Sequence, residues 1–466
     1  MKIPLTIEET QKGLLEKEFT AVQLVDAYLA RIGRYDKDLN SFLTISDELA
    51  YLQAKEADRK IDELGKSAFE KYPLLGVTVA HKDLFLTKGI RTTAASKVLE
   101  YYIPAYTATV VEKLENAGCI MMGKTNCDAW AHGASGENSD FGATKNPWGK
   151  AFVPGGSSSG SAVSIAAKFS LISTGTDTGG SIRQPASFCG IVGLKPTYGA
   201  VSRYGIVAMA SSLDSPGIFA PTVGDIETAF ENIKGEDGKD STVKNSNFKK
   251  QSSKFKLGIP KEYFIEGLSK EIEKAVLEAA KVFEKEEIEL IDISLPHTKY
   301  AISVYYIVQP AEVSSNLGRY DGVRYGNDRP SFGAEAKRRI MLGTYVLSAG
   351  YYDAFYLKAM GVRSKIIEDF ARAFEKVDAI IAPVSPTPPF KLGEKAQDPM
   401  QMYLADVFTA SANIAGIPGL AIPSGFSKNG LPLGFQLMGP RFSEKMLFKL
   451  GKLYEKATDW KPKSAF

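Results

Sequence analysis

Apolar side chains recur along this chain in two alternating rhythms. Near the amino terminus the spacing is helical: Val22, Leu24, Val25, Tyr28, Leu29 and Ile32 fall three or four positions apart on one stripe. The pairs Thr6/Glu9 and Thr20/Gln23 have the capping-box spacing, in which a hydroxyl and a carboxylate or amide satisfy the orphan amides of a helix start. A further helix is predicted over 46–64. Residues 74–80 then form a short apolar run rich in β-branched side chains, which predicts a buried strand delivering His81-Lys82-Asp83 to its carboxyl end. The alternation continues with a helix over 109–116 that stops at Gly118, a strand over 119–122, a helix over 160–168, a strand over 171–174 and a helix over 223–233. A polar stretch follows at 234–254, in which Val243 and Phe248 are the only large apolar side chains. Beyond it come a strand over 256–259, a helix over 270–286 and a strand over 289–293. Two long helical segments are predicted over 303–319 and 333–374. A strand over 379–382 runs into Pro383-Val-Ser-Pro-Thr-Pro-Pro389, whose prolines force an extended loop. Strands near 420–422 and 434–437 and a helix over 444–456 close the pattern. Helix–strand alternation of this kind predicts an α/β fold with a mixed, mostly parallel central sheet covered by helices on both faces.

Composition narrows the function classes. The 57 Lys+Arg and 54 Asp+Glu of the 466 residues leave a balance of only +3, which gives no reason to expect a strongly basic nucleic-acid face. No stretch approaches the roughly 18 apolar residues a membrane helix needs. The opening residues carry no signal-like apolar run. Three cysteines, Cys119, Cys127 and Cys189, make no disulfide framework, so a reducing compartment is expected. A length of 466 residues permits either two domains or one unusually large sheet-based domain.

Two motif matches fail on context. Gly118-Cys-Ile-Met-Met-Gly123-Lys124-Thr125 fits the phosphate-loop pattern by letter, but that loop needs a strand before it and a helix after it. Here the order is helix, glycine, strand. Gly156-Ser157-Ser158-Ser159-Gly160 fits a nucleophile elbow around Ser158, which requires an acid and then a histidine downstream. The only downstream histidine, His297, lies in a loop-like Leu-Pro-His-Thr.

The strongest chemical signal is a segment in which 17 of 27 residues, from Gly155 to Ser181, are Gly, Ser or Thr. It is no flexible linker, because an apolar helix-like stretch and a strand lie within it. Small residues flanking regular elements imply close backbone approach, to a ligand or to another strand. The turn Asp177-Thr178-Gly179-Gly180-Ser181 presents consecutive amides suited to stabilising an oxyanion. A serine beside such donors is a candidate nucleophile. Histidine is scarce (His81, His132 and His297 only), so the base is expected to be another group, such as a desolvated neutral lysine.

Lys82, Gly155-Gly-Ser157-Ser-Ser-Gly-Ser161 and Asp177-Thr-Gly-Gly-Ser181-Ile-Arg183 closely resemble the amidase signature family in residues and spacing. The resemblance implies one large α/β domain over 1–466, with an N-terminal helical segment at about 1–65 and a polar surface excursion at 234–254. It implies a Ser–cis-Ser–Lys triad with Ser181 as nucleophile, Ser157 as the bridging serine after a cis peptide bond, and Lys82 as base. The amides of Thr178, Gly179, Gly180 and Ser181 would hold the oxyanion.

Further stretches resemble the branch of that family that serves as glutaminase in tRNA-dependent amidotransferases, among them Thr144-Lys-Asn-Pro-Trp148, Arg319-Tyr-Asp-Gly-Val-Arg-Tyr-Gly326 and Lys337-Arg-Arg-Ile-Met-Leu-Gly-Thr-Tyr345. This implies glutamine held by Tyr305, Arg339 and Asp406, with ammonia passed to a partner that amidates Glu-tRNA(Gln) or Asp-tRNA(Asn). The partners implied are the B and C subunits of a heterotrimer: the B partner uses ATP and magnesium and binds most of the tRNA, and the small C partner ties the assembly together. The resemblance also implies no cofactor or metal in this chain, no membrane, and a cytoplasmic or organellar-matrix location. The alternatives are a free-standing amidase of the same family and a nucleotide-binding module at Gly118–Thr125. The chain departs from the family pattern after Gly123-Lys-Thr-Asn126, where the usual Met-Asp-Glu-Phe-Ala-Met-Gly becomes Cys127-Asp-Ala-Trp130-Ala-His132-Gly133, and its connection at 327–331 is short. Cys119, Cys127 and His132 fall short of a zinc set, and a buried thiol is the expected state of Cys127.

Overall fold

A computed structural model describes residues 3–245, 255–396 and 398–466. Eleven strands form one sheet: β1 (Phe42–Ile45), β2 (Thr78–Lys82), β3 (Ile120–Thr125), β4 (Ile172–Asp177), β5 (Val192–Lys195), β6 (Ser215–Ala220), β7 (Lys256–Pro260), β8 (Glu289–Ile293), β9 (Ala379–Pro383), β10 (Gly419–Phe426) and β11 (Pro432–Met438). Their spatial order is β1-β3-β2-β4-β6-β5-β10-β11-β9-β7-β8. The sheet is mixed, as expected, but its parallel share is smaller than the alternation suggests. Parallel pairing is confined to β3-β2-β4 and β9-β7-β8, and six of the ten pairings are antiparallel. The physical reason is connection length. A helix carries the chain from β2 to β3, from β3 to β4 and from β7 to β8, and such crossovers return parallel, whereas β10 reaches β11 through a short turn that permits only an antiparallel return.

Helices cover both faces. Val79 points into one core with Leu114, Ile218 and Phe230, while its neighbour Ala80 points into another with Leu24, Tyr28, Ile32 and Ile61 of the N-terminal helices. Successive strand residues face opposite ways, so a strand buried on both sides reads as a continuous apolar run rather than an alternation. One capping signal is realised in full and the other by half, the Glu9 carboxylate accepting the Leu5 amide rather than that of Thr6. The Thr6 hydroxyl accepts from the Glu9 amide at 3.1 Å, opening the helix Ile7–Leu15, and Thr20 and Gln23 form a full capping box at the start of Ala21–Leu39. The polar excursion is partly anchored: Asp240 accepts from Arg203 Nε at 3.0 Å, while residues 246–254 lie outside those described. No helix among the described residues is long and apolar enough to cross a membrane.

The expected helix over 333–374 is broken into Ala334–Val346, a π-helical turn at Tyr352–Leu357 and Lys358–Lys376. Gly350, with φ of 85°, lies in the break. The first piece packs against the helix Ala301–Asn316 unusually closely. A Cβ at Gly343 would lie 1.8 Å from the Pro310 carbonyl oxygen. One turn earlier on the same face, Arg339 reaches Gln309 of the neighbouring helix, its Nη1 donating to Gln309 Oε1 at 3.0 Å. Gly343 therefore sets the distance at which Arg339 is held. Glycine-to-alanine changes inside helices normally stabilise by about 0.5–1 kcal/mol. Gly343→Ala is expected to do the reverse, lowering stability by about 1–3 kcal/mol through overpacking. Urea unfolding checks the sign, and an unchanged or raised midpoint would refute the close-approach account.

Candidate active site

β2 and β4 are parallel neighbours, so their carboxyl ends open on the same edge of the sheet, where such sheets leave a crevice. Lys82 is the last residue of β2 and is wholly buried. Thr174 and Thr176 lie two apart on β4 and share one face. The Thr174 hydroxyl accepts the Lys82 amide at 3.3 Å, and Thr176 Oγ1 accepts from Lys82 Nζ at 2.8 Å. The same Nζ lies 2.8 Å from Ser157 Oγ.

Ser157 stands at the end of the glycine-rich approach to the helix Ser159–Ala166, and the Gly156–Ser157 peptide is cis. The approach is glycine-rich because it is crowded. A Cβ at Gly156 would fall 2.1 Å from Asp128 Oδ2, and one at Gly160 would fall 2.3 Å from the Ser41 carbonyl oxygen. Gln184 Oε1 accepts the Gly156 amide at 2.9 Å, and the Ser157 carbonyl accepts the Asp128 amide at 3.1 Å.

Ser181 arrives from the other side, on the turn between β4 and the helix Arg183–Cys189. Its carbonyl accepts the Ser158 amide at 3.3 Å, which stitches the two serine segments together. Ser181 keeps 7% of its surface while Lys82 and Ser157 keep none. The amides of Thr178, Gly179, Gly180 and Ser181 donate to no partner among the described residues. Buried amides are rarely left unpaired, so this run of donors is a ready seat for a developing oxyanion.

The turn keeps its shape because a buried ion pair closes it. Arg183 Nε and Nη2 each lie 3.1 Å from an oxygen of Asp177, with both residues fully buried. Asp177 also accepts the Ile182 amide at 3.1 Å and Asn413 Nδ2 at 2.9 Å, and Arg183 donates to Gln436 Oε1 at 2.8 Å. Burial alone would raise the Asp177 carboxyl, yet Arg183 and Asn413 hold it below its ordinary value. Removing one partner of such a pair costs about 3–5 kcal/mol, because the other charge is left buried and alone. Thr178 is pinned as well, its hydroxyl donating to Asp214 at 2.7 Å, and Thr409 Oγ1 donates to the Gly179 carbonyl at 2.6 Å.

Three lysines are wholly buried among the described residues. Burial lowers Lys82 to about 8, against the opposing pull of Cys127, Asp128, Asp214 and Asp177. Burial likewise lowers Lys124 to about 8 and Lys195 to about 7. Geometry separates them. Lys124 donates to the Phe85 carbonyl and, at 2.8 Å, to Thr92, and lies 3.7 Å from Asp83. Lys195 donates to the Pro196 carbonyl at 2.8 Å. Of the three, only the Lys82 amine faces a serine hydroxyl able to give it a proton.

Of the three residues expected to hold the substrate, Tyr305 and Asp406 lie against the turn. A Cβ at Gly179 would meet the Tyr305 ring at 2.7 Å, and one at Gly180 would lie 3.1 Å from Asp406 Oδ1. Burial raises the Asp406 carboxyl well above its ordinary value, with the nearby Arg339 charge opposing. Arg339 is itself buried, its Nε donating to Glu335 at 2.8 Å and its guanidinium lying over the rings of Tyr306 and Tyr403.

The two rejected motifs resolve as the context arguments require. Residues 120–125 are a fully buried strand, leaving no phosphate loop. The Ser158 hydroxyl donates to the Thr176 carbonyl at 3.2 Å, and His297 is paired with Asp369 at 3.0 Å. Cys127 is a buried thiol, raised to about 12 by burial. Three residues of the site, Thr176, Asp214 and Gln309, escape the sequence reading. For Thr176 a signal exists, since it repeats Thr174 at strand spacing; for Asp214 and Gln309 there is none.

Residues 23–448 match the family model described as Amidase. The chain is 51% identical over 478 residues to the A subunit of glutamyl-tRNA(Gln) amidotransferase from Carboxydothermus hydrogenoformans, covering 98% of each chain. It is 48% identical over 483 residues to the protein of the same name from Geobacter metallireducens, covering 99% of each. The crystal structure of the corresponding glutamyl-tRNA(Gln) amidotransferase protein from Thermotoga maritima superimposes with a TM-score of 0.81 at 40% identity, over 98% of this chain and 96% of that one. The large mixed sheet, the serine-rich turns and similarity along almost the whole length agree: this chain belongs to the amidase family.

Proposed function

We propose that this chain is the glutamine-hydrolysing subunit of a tRNA-dependent amidotransferase. The observation that carries the reading is the 2.8 Å contact between Lys82 Nζ and Ser157 Oγ, in a chain whose three histidines are engaged with no serine among the described residues. Ser181 attacks the side-chain amide carbon of glutamine. Its proton passes to Ser157 as the Ser157 proton passes to neutral Lys82, while the amides of 178–181 receive the oxyanion. The relay then reverses, the C–N bond breaks, ammonia leaves, and water hydrolyses the acyl-enzyme to glutamate.

Burial makes this chemistry accessible near neutral pH. Deprotonating a lysine of pKa about 8 at pH 7 costs about 1.4 kcal/mol, against about 4.6 kcal/mol for an ordinary lysine. Arg339 would pair with the α-carboxylate and Asp406 with the α-ammonium, with Tyr305 between them. The ammonia would serve a partner, the B subunit of the assembly, that holds the tRNA and uses ATP and magnesium. That partner would convert Glu-tRNA(Gln) to Gln-tRNA(Gln), Asp-tRNA(Asn) to Asn-tRNA(Asn), or both, with a small C subunit completing the heterotrimer. No cofactor is assigned to this chain. The assembly would work in the bacterial cytoplasm or an organellar matrix.

Ser181→Ala should abolish glutamine hydrolysis. Because the base acts in its neutral form, kcat/KM should climb about tenfold per pH unit below pH 8 and level off above it, and Lys82→Met should lose at least about a thousandfold. A profile flat from pH 6 to 8 would contradict the neutral-lysine relay. Arg339→Ala should raise KM for glutamine far more than for a small neutral amide; equal effects on both would remove Arg339 from the substrate site.

A further inference from the structure

We infer that His132 and Gln309 are specificity-determining residues that join Arg339 in receiving the α-carboxylate of the amide substrate, an inference that rests on the glutaminase reading above. His132 is wholly buried, and neither ring nitrogen has a hydrogen-bond partner among the described residues. A histidine that serves only the core satisfies at least one nitrogen, as the others in this chain do: His81 meets Thr174 at 3.2 Å and His297 meets Asp369 at 3.0 Å. Burial and the nearby Arg339 charge push the His132 imidazole well below its ordinary value, so it stays neutral. A neutral imidazole always presents one N–H donor.

Gln309 shows the same incompleteness. Its Oε1 accepts from Arg339 Nη1 at 3.0 Å, and its Nε2 is buried without a partner among the described residues. That orientation is forced, because a guanidinium only donates and must face the amide oxygen. Arg339 Nη2 also donates to no described residue. Three neighbouring side chains thus hold unspent N–H donors. Arg339 and His132 line one cavity of about 210 Å³ together with Glu335, Glu137, Lys395 and Tyr403, and Gln309 adjoins it through Arg339.

The cavity is linked to the turn through aromatic rings. Arg339 lies 5.3 Å from the Tyr306 ring, Tyr306 packs edge-on against Tyr305 at 4.9 Å, and Tyr305 covers Gly179. Donors clustered round a guanidinium call for an acceptor-only anion, and a carboxylate is the one that glutamine carries. The opposite requirement, an acceptor for the α-ammonium, is met by Asp406 against Gly180. His132 is held in place by an unusual backbone: Trp130 and Ala131, just before it, have φ of 58° and 63°, and the Trp130 ring is wedged between Tyr320 and Phe332. Side-chain-bearing residues hold such angles only where surrounding packing imposes them.

The test compares glutamine with glutaramate, which lacks the α-amine, and 4-aminobutanamide, which lacks the α-carboxylate. In the full chain, His132→Met and Gln309→Met should each lower the preference for glutamine over 4-aminobutanamide by about tenfold, mainly through KM, and His132→Gln should restore part of it. Calorimetry on the Ser181→Ala chain separates binding from chemistry: adding His132→Met should weaken glutaramate binding by about tenfold. Equal losses on all three amides, no loss on any, or no glutaramate binding by Ser181→Ala would overturn the inference. Glutaramate binding that depends on His132 in a chain that hydrolyses no glutamine would sustain it and defeat the glutaminase reading instead.

Discussion

Lys82 is buried with no carboxylate within ion-pair distance among the described residues, and the rest of the site answers to that constraint. An ammonium stripped of water and left unpaired is driven toward its neutral form. Two hydroxyls, those of Thr176 and Ser157, are the hydrogen-bond partners of its amine among the described residues, and they serve an amine as well as an ammonium. Acidic groups stand further off and pull the other way, so the lysine is held at about 8 rather than driven lower. The balance leaves an amine suited to the proposed relay, basic when neutral and neutral for an appreciable fraction of the time.

Charge elsewhere in the site is handled by the opposite device. Asp177 and Arg183 neutralise each other in the core, and in doing so they close the turn that carries Ser181. That closure leaves the amides of 178–181 free of partners among the described residues, which is what an oxyanion needs. Gly179 and Gly180 lie in the turn because Tyr305, Thr409 and Asp406 press against it and leave no volume for a Cβ. Ser181, the unpaired amides beside it, Tyr305 and Asp406 thus share one small region, and the Arg339 side of it depends on the close approach of two helices at Gly343.

Much of this is legible in the sequence because it rests on local rules. The caps at Thr6 and Thr20, the apolar run over 74–80 and the crowding implied by the Gly/Ser/Thr segment are all short-range signals; Thr20 forms the full box and Thr6 half of one, and the strand lies at Thr78–Lys82, a few residues later than the run. The particular lysine is not legible from the residues alone. Lys124 and Lys195 are equally buried, and only three-dimensional placement, or resemblance to a family, singles out Lys82. The alternation overstates the share of parallel pairing because it says nothing about strands joined by short turns, as β10 and β11 are. The continuous helix expected over 333–374 fails at a turn marked by Gly350, whose positive φ no periodicity reveals. Gln309 is invisible in the sequence, since its meaning comes from a neighbour 30 residues away.

In the proposed relay Lys82 is a depressed, readily neutral base. The most direct measurement is the titration of the Lys82 Nζ by NMR of the protein carrying ¹⁵N-labelled lysine side chains, with Lys82→Met used to assign the signal. The account predicts an amine that titrates near pH 8. A Lys82 amine that stays protonated until about pH 10.4, the ordinary value for lysine, would contradict it.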